Sequence, residues 1–511
     1  MPLTPTSANS TTGEAGSLDA LDPASINAPS LDLRAVGLRL VKGAAIYGAA
    51  TFGIKALNFL LVLVFTRYLG PADYGIIALA ETLAALVGLV AGMGFATGLT
   101  RFYFQYLGDP AALRRYVSTV SWASTVMIAG ISGLALLFLP YLLAAFRFSV
   151  PFYPYLALAI GTAAFSTFSD LRLTLYRCEE RSKAYAALSG VTFVLTTAAA
   201  LVLVVAMRQG AVGMLLGRFL GAGVACAFAA VLLGRWFLGG WDWQHLRETF
   251  AISLPVVPHQ AMALGLIAAD RLILERYRPV SEVGLYSVAY TFGMVMYLVT
   301  SSVLQAWSPI FLDVARGGDA ARPLLGRISS GLILFYVGVA CFGCLIAQDV
   351  ARLVLDPRYH AVGRVIPWVI GGYLFHGLFG LFHLAIMQEK RTGFLLAASF
   401  AACAANIALN FWWIPTWGMY GAAYATLAAY VLEALLAYAF GQRLFPLAFE
   451  SGRILLALGV FGGVLALTQA RSGIAWMSAG VLVSGALLWA IGGGEMVRAC
   501  RTLARRPSAA S

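Results

Sequence analysis

Four polar residues interrupt the first long apolar stretch of this sequence: Tyr47, Thr51, Lys55 and Asn58. Their spacings of four, four and three put them on one face of a helix. Lys55 lies near the middle of the stretch, where a lysine in lipid costs at least about 2.5–3.5 kcal/mol, so it must face the protein interior or a partner. Five more charges are embedded in apolar sequence: Arg218 and Arg271 are basic, Glu81, Asp270 and Glu433 acidic. Arg271 and Glu275, four residues apart, can neutralise each other on one helix. That leaves Asp270 either as a proton or sodium site or as a structural partner of the first apolar stretch. Tyr286, Tyr290 and Tyr297 form a helical stripe with Ser301, serving either ligand contact or packing. Asn406 with Asn410 and His376 with His383 read as groups that bond neighbouring helices and as satisfied core histidines. Arg67, Arg101 and Arg276 stand at the ends of apolar runs, where snorkelling to headgroups accounts for them.

Positioning such residues takes a scaffold, and composition says which kind. Of 511 residues 60% are apolar and 11% charged, against roughly 45–50% and 25% in soluble domains. So few charges cannot cover a soluble surface of this size. The apolar excess faces lipid, and a water-soluble enzyme is excluded. The net charge of +12 sits in short loops between apolar runs rather than in a stripe with interleaved aromatics, so nucleic acid is no partner. Cys341 and Cys344 form a CxxC inside one apolar run, which reads as small buried residues rather than a metal or redox site. P-loop, HExxH and GxSxG patterns are missing, so the chain is expected to be no enzyme and to hydrolyse no ATP.

Residues 1–39 read as a disordered N-terminal tail without a cleavable signal. Fourteen apolar segments of spanning length follow, from 43–66 to 473–492, among them 76–99, 153–175 and 249–274. The tails and even-numbered loops hold 23 Lys and Arg, the odd-numbered loops 9, and Lys55, Arg218 and Arg271 fall within spans. That asymmetry places both termini in the cytoplasm and Trp412, Trp413 and Trp417 at the outer interface. An internal repeat is also visible. Phe65-Thr66-Arg67-Tyr68 with Ala72-Asp73-Tyr74-Gly75 recurs as Leu274-Glu275-Arg276-Tyr277 with Ser281-Glu282-Val283-Gly284, an offset of 209. Glu180 and Gly210 recur near Glu389 and at Gly418. The expected fold is an all-α integral membrane protein of 14 transmembrane helices, with two six-helix lobes related by a pseudo-two-fold along the membrane normal and two C-terminal helices. Its divisions are a first lobe at 40–233, a cytoplasmic connector at 234–248, a second lobe at 249–441, the appended pair at 442–492 and a basic cytoplasmic tail at 493–511.

Asn58-Phe59, then Thr66-Arg67-Tyr68-Leu69-Gly70-Pro71-Ala72-Asp73-Tyr74-Gly75, resembles the opening of the polysaccharide exporters, the Wzx-like O-antigen flippases of the multidrug/oligosaccharidyl-lipid/polysaccharide (MOP) superfamily. Ser253-Leu254-Pro255-Val256-Val257-Pro258 with Asp270-Arg271 is similar to the start of their second half. The resemblance covers about residues 40–495. It implies a flippase of the bacterial inner membrane that moves an undecaprenyl-diphosphate-linked oligosaccharide, an O-antigen or exopolysaccharide repeat unit, by alternating access. A polymerase and a chain-length regulator of the same pathway are implied as partners, besides membrane lipids. No cofactor is implied, and coupling is to H+ or Na+.

Under that resemblance Lys55 either binds the diphosphate or makes a structural ion pair, and Arg218 and Arg271 join it on the phosphates. Asp270, Glu81 and Glu433 tune charge or take the coupling ion. Arg67, Arg101 and Arg276 become residues of the cavity mouth, and Tyr286, Tyr290 and Tyr297 contact sugars. Pro255 and Pro258 mark either a hinge or an ordinary helix start. One alternative is a cation or drug antiporter of the same superfamily, which should carry a net acidic cavity, whereas the embedded charges balance at three and three. The other is a membrane polysaccharide polymerase, which needs a long external loop, whereas the longest here, near 348–364, has about 17 residues.

Overall fold

Inside a bilayer every backbone N–H and C=O must be satisfied within its own segment, so apolar runs of about 20 residues cross as helices. The computed structural model describes residues 52–470 together with Ser478, Leu482 and Gly485, and among these it contains helices and turns but no strand. The first half comprises residues 52–68 (α1), Pro71–Gly92 (α2), Phe95–Gln105 (α3), Pro110–Ala145 (α4), Ala157–Cys178 (α5), Ser182–Leu201 (α6) and Gly210–Leu233 (α7). Trp243–Ser253 (α8) leads into the second half, made of Val256–Tyr277 (α9), Val280–Ala315 (α10), Arg322–Val354 (α11), Ile366–Gln388 (α12), Gly393–Trp417 (α13) and Met419–Leu444 (α14). Ser451–Ala470 (α15) follows and packs on α11.

The protein is thus all-helical, with ten helical runs among the described residues long and apolar enough to cross a membrane, or eleven if the bent pair α8 and α9 is one span. Each of the first thirteen expected segments coincides with helix over the residues described. The rest of segment 473–492, both tails, Tyr47 and Thr51 lie outside them. Three expectations change. The second segment is two helices, because Met93 (φ 43°) and Gly94 (φ 66°) are left-handed and break the run. The seventh is bent by 42° between α8 and α9, where Pro255 precedes the first turn of α9. The supposed outer loop at 348–364 is the end of α11 followed by a short helix, Pro357–Arg364.

The two halves repeat local details at the offset seen in the sequence. Asp73 receives the N–H of Ala211 at the start of α7, and Glu282 receives that of Met419 at the start of α14. Gly210 (φ 59°) and Gly418 (φ 56°) open those same helices. Glycine is required at 418 because a methyl group there would run into the Glu282 carboxylate. Where α2 crosses α10, a Cβ on Gly75 would strike the carbonyl of Val280, and one on Gly284 would strike the carbonyl of Pro71. Each glycine thus admits the partner helix's first turn. Arg358 reinforces this closure by donating to the carbonyls of Thr66 and Arg67, as does Tyr359 to that of Leu69. The side-chain hydrogen bond from Arg358 holds the Asp356 carboxyl below the ordinary carboxylate range.

The main hydrophobic core runs from α2, α5 and α7 through α10, α11, α12 and α14. A second cluster lies at the opposite end of the first half, around Phe95, Phe102, Tyr116, Leu175 and Leu246. There α8 seats on α3 and α4. Tyr106 donates to Glu248 at 2.9 Å and Thr249 to Tyr116 at 3.3 Å.

Candidate functional site

The embedded charges of the second half converge around α9 and α10. Asp270 is fully buried and accepts the Tyr286 hydroxyl at 2.5 Å and the Arg271 N–H at 2.7 Å. A buried carboxylate survives only with such donors. The Arg271 guanidinium donates to Ser287 Oγ and the Ile267 carbonyl and lies 3.8 Å from Asp270. It covers the Tyr290 ring at 4.7 Å and the Tyr286 ring at 5.9 Å. The expected pair with Glu275 is not made. Glu275 instead accepts the N–H of Ser149 at 2.6 Å, because the chain after α4 needs an acceptor where it meets α9.

Tyr290 touches Tyr373, which touches Tyr297 and Tyr430, and His376 packs against Tyr297 and Tyr430. Glu433, buried on α14, accepts from Ser399 at 2.8 Å and approaches His376 at 3.5 Å. The tyrosine stripe is therefore part of an aromatic and charged wall shared by α10, α12 and α14. Lys55 reaches this wall from the first half, with its ammonium 5.2 Å from the Tyr297 ring centre. Phe59, one turn on, meets Phe292 edge to face. Among the described residues no carboxylate lies within ion-pair distance of Lys55, which is exposed.

The other candidates divide. Arg218 forms an ion pair with Glu81 across α7 and α2, so each neutralises the other. Arg67 and Arg276 lie at the closed end beside Gly70 and Pro279, where Arg276 donates to the Phe146 carbonyl. Arg101 is exposed on α3 toward the opposite end. The structure does not bring these three together with Lys55 and Arg271. Asn410 donates to Asn406 at 2.9 Å, so these two bond within α13 rather than to a neighbouring helix. Asn410 Oδ1 and Thr426 Oγ1 are buried without a hydrogen-bond partner on helices that pack against α9. Such oxygens suit a hard cation, although no three His, Cys, Asp or Glu converge among the described residues. Cys341 and Cys344 are buried free thiols.

A family model described as "Polysaccharide biosynthesis protein" matches residues 40–314. The chain belongs to the polysaccharide biosynthesis protein family. This member of the family is 25% identical over 381 residues to the Lipid III flippase of Escherichia coli (strain K12), covering 71% of this chain and 88% of that one. Its fold matches "Lipid II flippase MurJ, inward closed conformation", with TM-score 0.70, 14% identity, and coverage of 90% of this chain and 100% of that chain. An inward-facing multidrug resistance MATE family transporter of the MOP superfamily gives TM-score 0.55 at 13% identity over 80% and 98% of the two chains. The polysaccharide biosynthesis protein described here accordingly has many helices long and apolar enough to cross a membrane, arranged in the fold shared by these solved structures.

Two charges within a span escaped the sequence reading. Asp170 and Arg172 lie inside α5, Arg172 having been counted with the following loop. Arg172 is 2% exposed, donates to Glu179 at 3.0 Å and stacks on Tyr176 at 3.8 Å. Its embedding in the expected span 153–175 was the available signal. Tyr373 and Tyr430 gave none, because an isolated tyrosine in an apolar run does not show which wall it joins.

Proposed function

We propose that this protein is a flippase for an undecaprenyl-diphosphate-linked oligosaccharide, of the O-antigen or exopolysaccharide repeat-unit type. It has fourteen spans, two pseudo-symmetric lobes and cytoplasmic termini. One observation carries the reading beyond the family: Lys55, free of any carboxylate among the described residues, crosses from the first half to the tyrosine wall that also holds Arg271. A diphosphate in hydrocarbon costs on the order of tens of kcal/mol, so its path must supply cations and polar groups. Lys55 and Arg271 supply the charge, while tyrosine hydroxyls and ring faces supply sugar contacts. The polyprenyl tail needs no polar path and stays in lipid. With the termini inside, the closed glycine crossing faces outward and the halves part toward the cytoplasm, the state that loads substrate. Asp270, with the unpartnered oxygens on α13 and α14, is the site for a coupling H+ or Na+, and a polymerase and chain-length regulator receive the exported unit.

The test is complementation of a deletion strain. Lys55→Ala and Arg271→Ala should each abolish polysaccharide export while the protein still reaches the inner membrane at parental levels. Normal export by the double variant would remove the cationic path. A deletion strain that exports normally but gains sensitivity to cationic drugs would favour the antiporter alternative.

A further inference from the structure

A chamber opens in the first half, lined by neither Lys55 nor Arg271. It has a volume of about 370 Å³, more than twenty times the roughly 15 Å³ that one water needs, and falls in the size range of small-molecule sites. Its walls are small residues of α2, α3 and α5 together with Leu89, Phe95 and Leu171, with Ser124 of α4 and Ser166, Thr167 and Asp170 of α5 as polar groups from this half and Gln260 of α9 from the other. Asp170 is exposed to it and, among the described residues, makes no hydrogen bond or ion pair. A carboxylate kept unpaired inside a helix bundle is costly unless water or a ligand meets it.

Asp170 lies at the depth of Lys55, and Gly92, Gly94 and Phe95 carry the chamber on from there toward the opposite end. Asp170 lies 13 residues into α5 from Ala157 and Lys55 lies 13 residues before Tyr68, so at 1.5 Å per residue both sit about 20 Å from the closed end. We propose, resting on the flippase reading above, that this chamber is the glycan subsite. In it Asp170 accepts hydrogen bonds from sugar hydroxyl or amino groups, Gln260 and Ser166 complete the contact from the two halves, and the diphosphate lies toward Lys55. The transported head is then polarised, with phosphate at the cationic wall and sugar at the acidic chamber. A neutral or amino sugar is accepted next to the diphosphate, and a uronic acid at that position is repelled.

The experiment uses the full-length protein in nanodiscs and two probes, undecaprenyl diphosphate and undecaprenyl-diphosphate-linked N-acetylglucosamine, with dissociation constants read by native mass spectrometry. For the parent the sugar-bearing lipid should bind more tightly. Asp170→Asn should cut that preference about tenfold, the scale of one hydrogen bond to a charged group. Ser166→Leu, which fills the chamber without touching the charge, should cut it likewise. Lys55→Ala should weaken both probes and keep their ratio. An unchanged ratio in both Asp170→Asn and Ser166→Leu, or equal loss of both probes in each, overturns the subsite. Failure of the parent to bind either lipid overturns the flippase reading itself.

Discussion

Gly75→Ala together with Gly284→Ala offers a direct handle on how the two halves meet. A methyl on Gly75 would lie 2.7 Å from Val280 Cγ1 and 2.8 Å from its carbonyl carbon, and one on Gly284 would lie 2.9 Å from the Pro71 carbonyl carbon. Carbon atoms settle about 3.5–4.0 Å apart, so each methyl arrives about 1 Å too close and the helices must separate. Overpacking of this kind costs about 1–3 kcal/mol. Opposing it, alanine favours a helix interior over glycine by up to about 1 kcal/mol, but that gain is the same in every transport state and cancels between them. The two sites share one crossing, so their effects do not simply add. A net penalty of about 1–2 kcal/mol against the closed crossing lowers its population roughly 5–30-fold relative to states in which α2 and α10 part. Spin labels at Tyr68 and Tyr277, both exposed near that crossing, report the population as a distance distribution in nanodiscs. The distribution should lengthen in the double variant. It should stay parental in Gly331→Ala, where a methyl meets nothing within 4 Å. A double variant indistinguishable from this control would refute the view that the glycine crossing defines a transport state.

Two further outcomes follow from the ion pair and the caps. Glu81→Gln should strand Arg218 and reduce the yield of correctly inserted protein, while Glu81→Gln with Arg218→Gln should recover most of it, because breaking one side of a pair costs more than removing both; equal yields for single and double variants would show that the pair is dispensable. Asp73→Ala and Glu282→Ala each remove the acceptor for an N–H in the first turn of α7 or α14, so each should lower stability by about 0.5–2 kcal/mol, read as a reduced melting temperature in detergent. A loss from only one of them would mean that the repeated cap works in one half alone.

The repeat was legible because it rests on short-range chemistry. Ala72-Asp73-Tyr74-Gly75 and Ser281-Glu282-Val283-Gly284 each carry a cap and a glycine crossing within four residues, and both features keep their 209-residue offset in three dimensions. The break at Met93 and Gly94 was not legible, because an uninterrupted apolar run has no polar signal where its backbone turns left-handed. Long-range pairing was equally hidden. Arg271 and Glu275 satisfy the helical spacing for an ion pair, yet each finds a better partner outside it, the tyrosine wall for one and the Ser149 N–H for the other. Glu81 and Arg218 stood out individually as embedded charges, and only packing of α2 against α7 joins them. Asp170 and Arg172 sit near the end of an apolar run, where a count of loop Lys and Arg absorbs Arg172 and passes over Asp170.

Movement of a lipid-linked glycan across the inner membrane is the function proposed for this chain. It is tested most directly by inactivating the gene, extracting undecaprenyl-linked lipids, and assaying which leaflet holds them with a membrane-impermeant glycan-modifying enzyme. One undecaprenyl-diphosphate-linked oligosaccharide should accumulate on the cytoplasmic leaflet, and the parental gene, but not Lys55→Ala, should clear it. Unchanged levels and sidedness of every such lipid would mean that this chain is not their flippase.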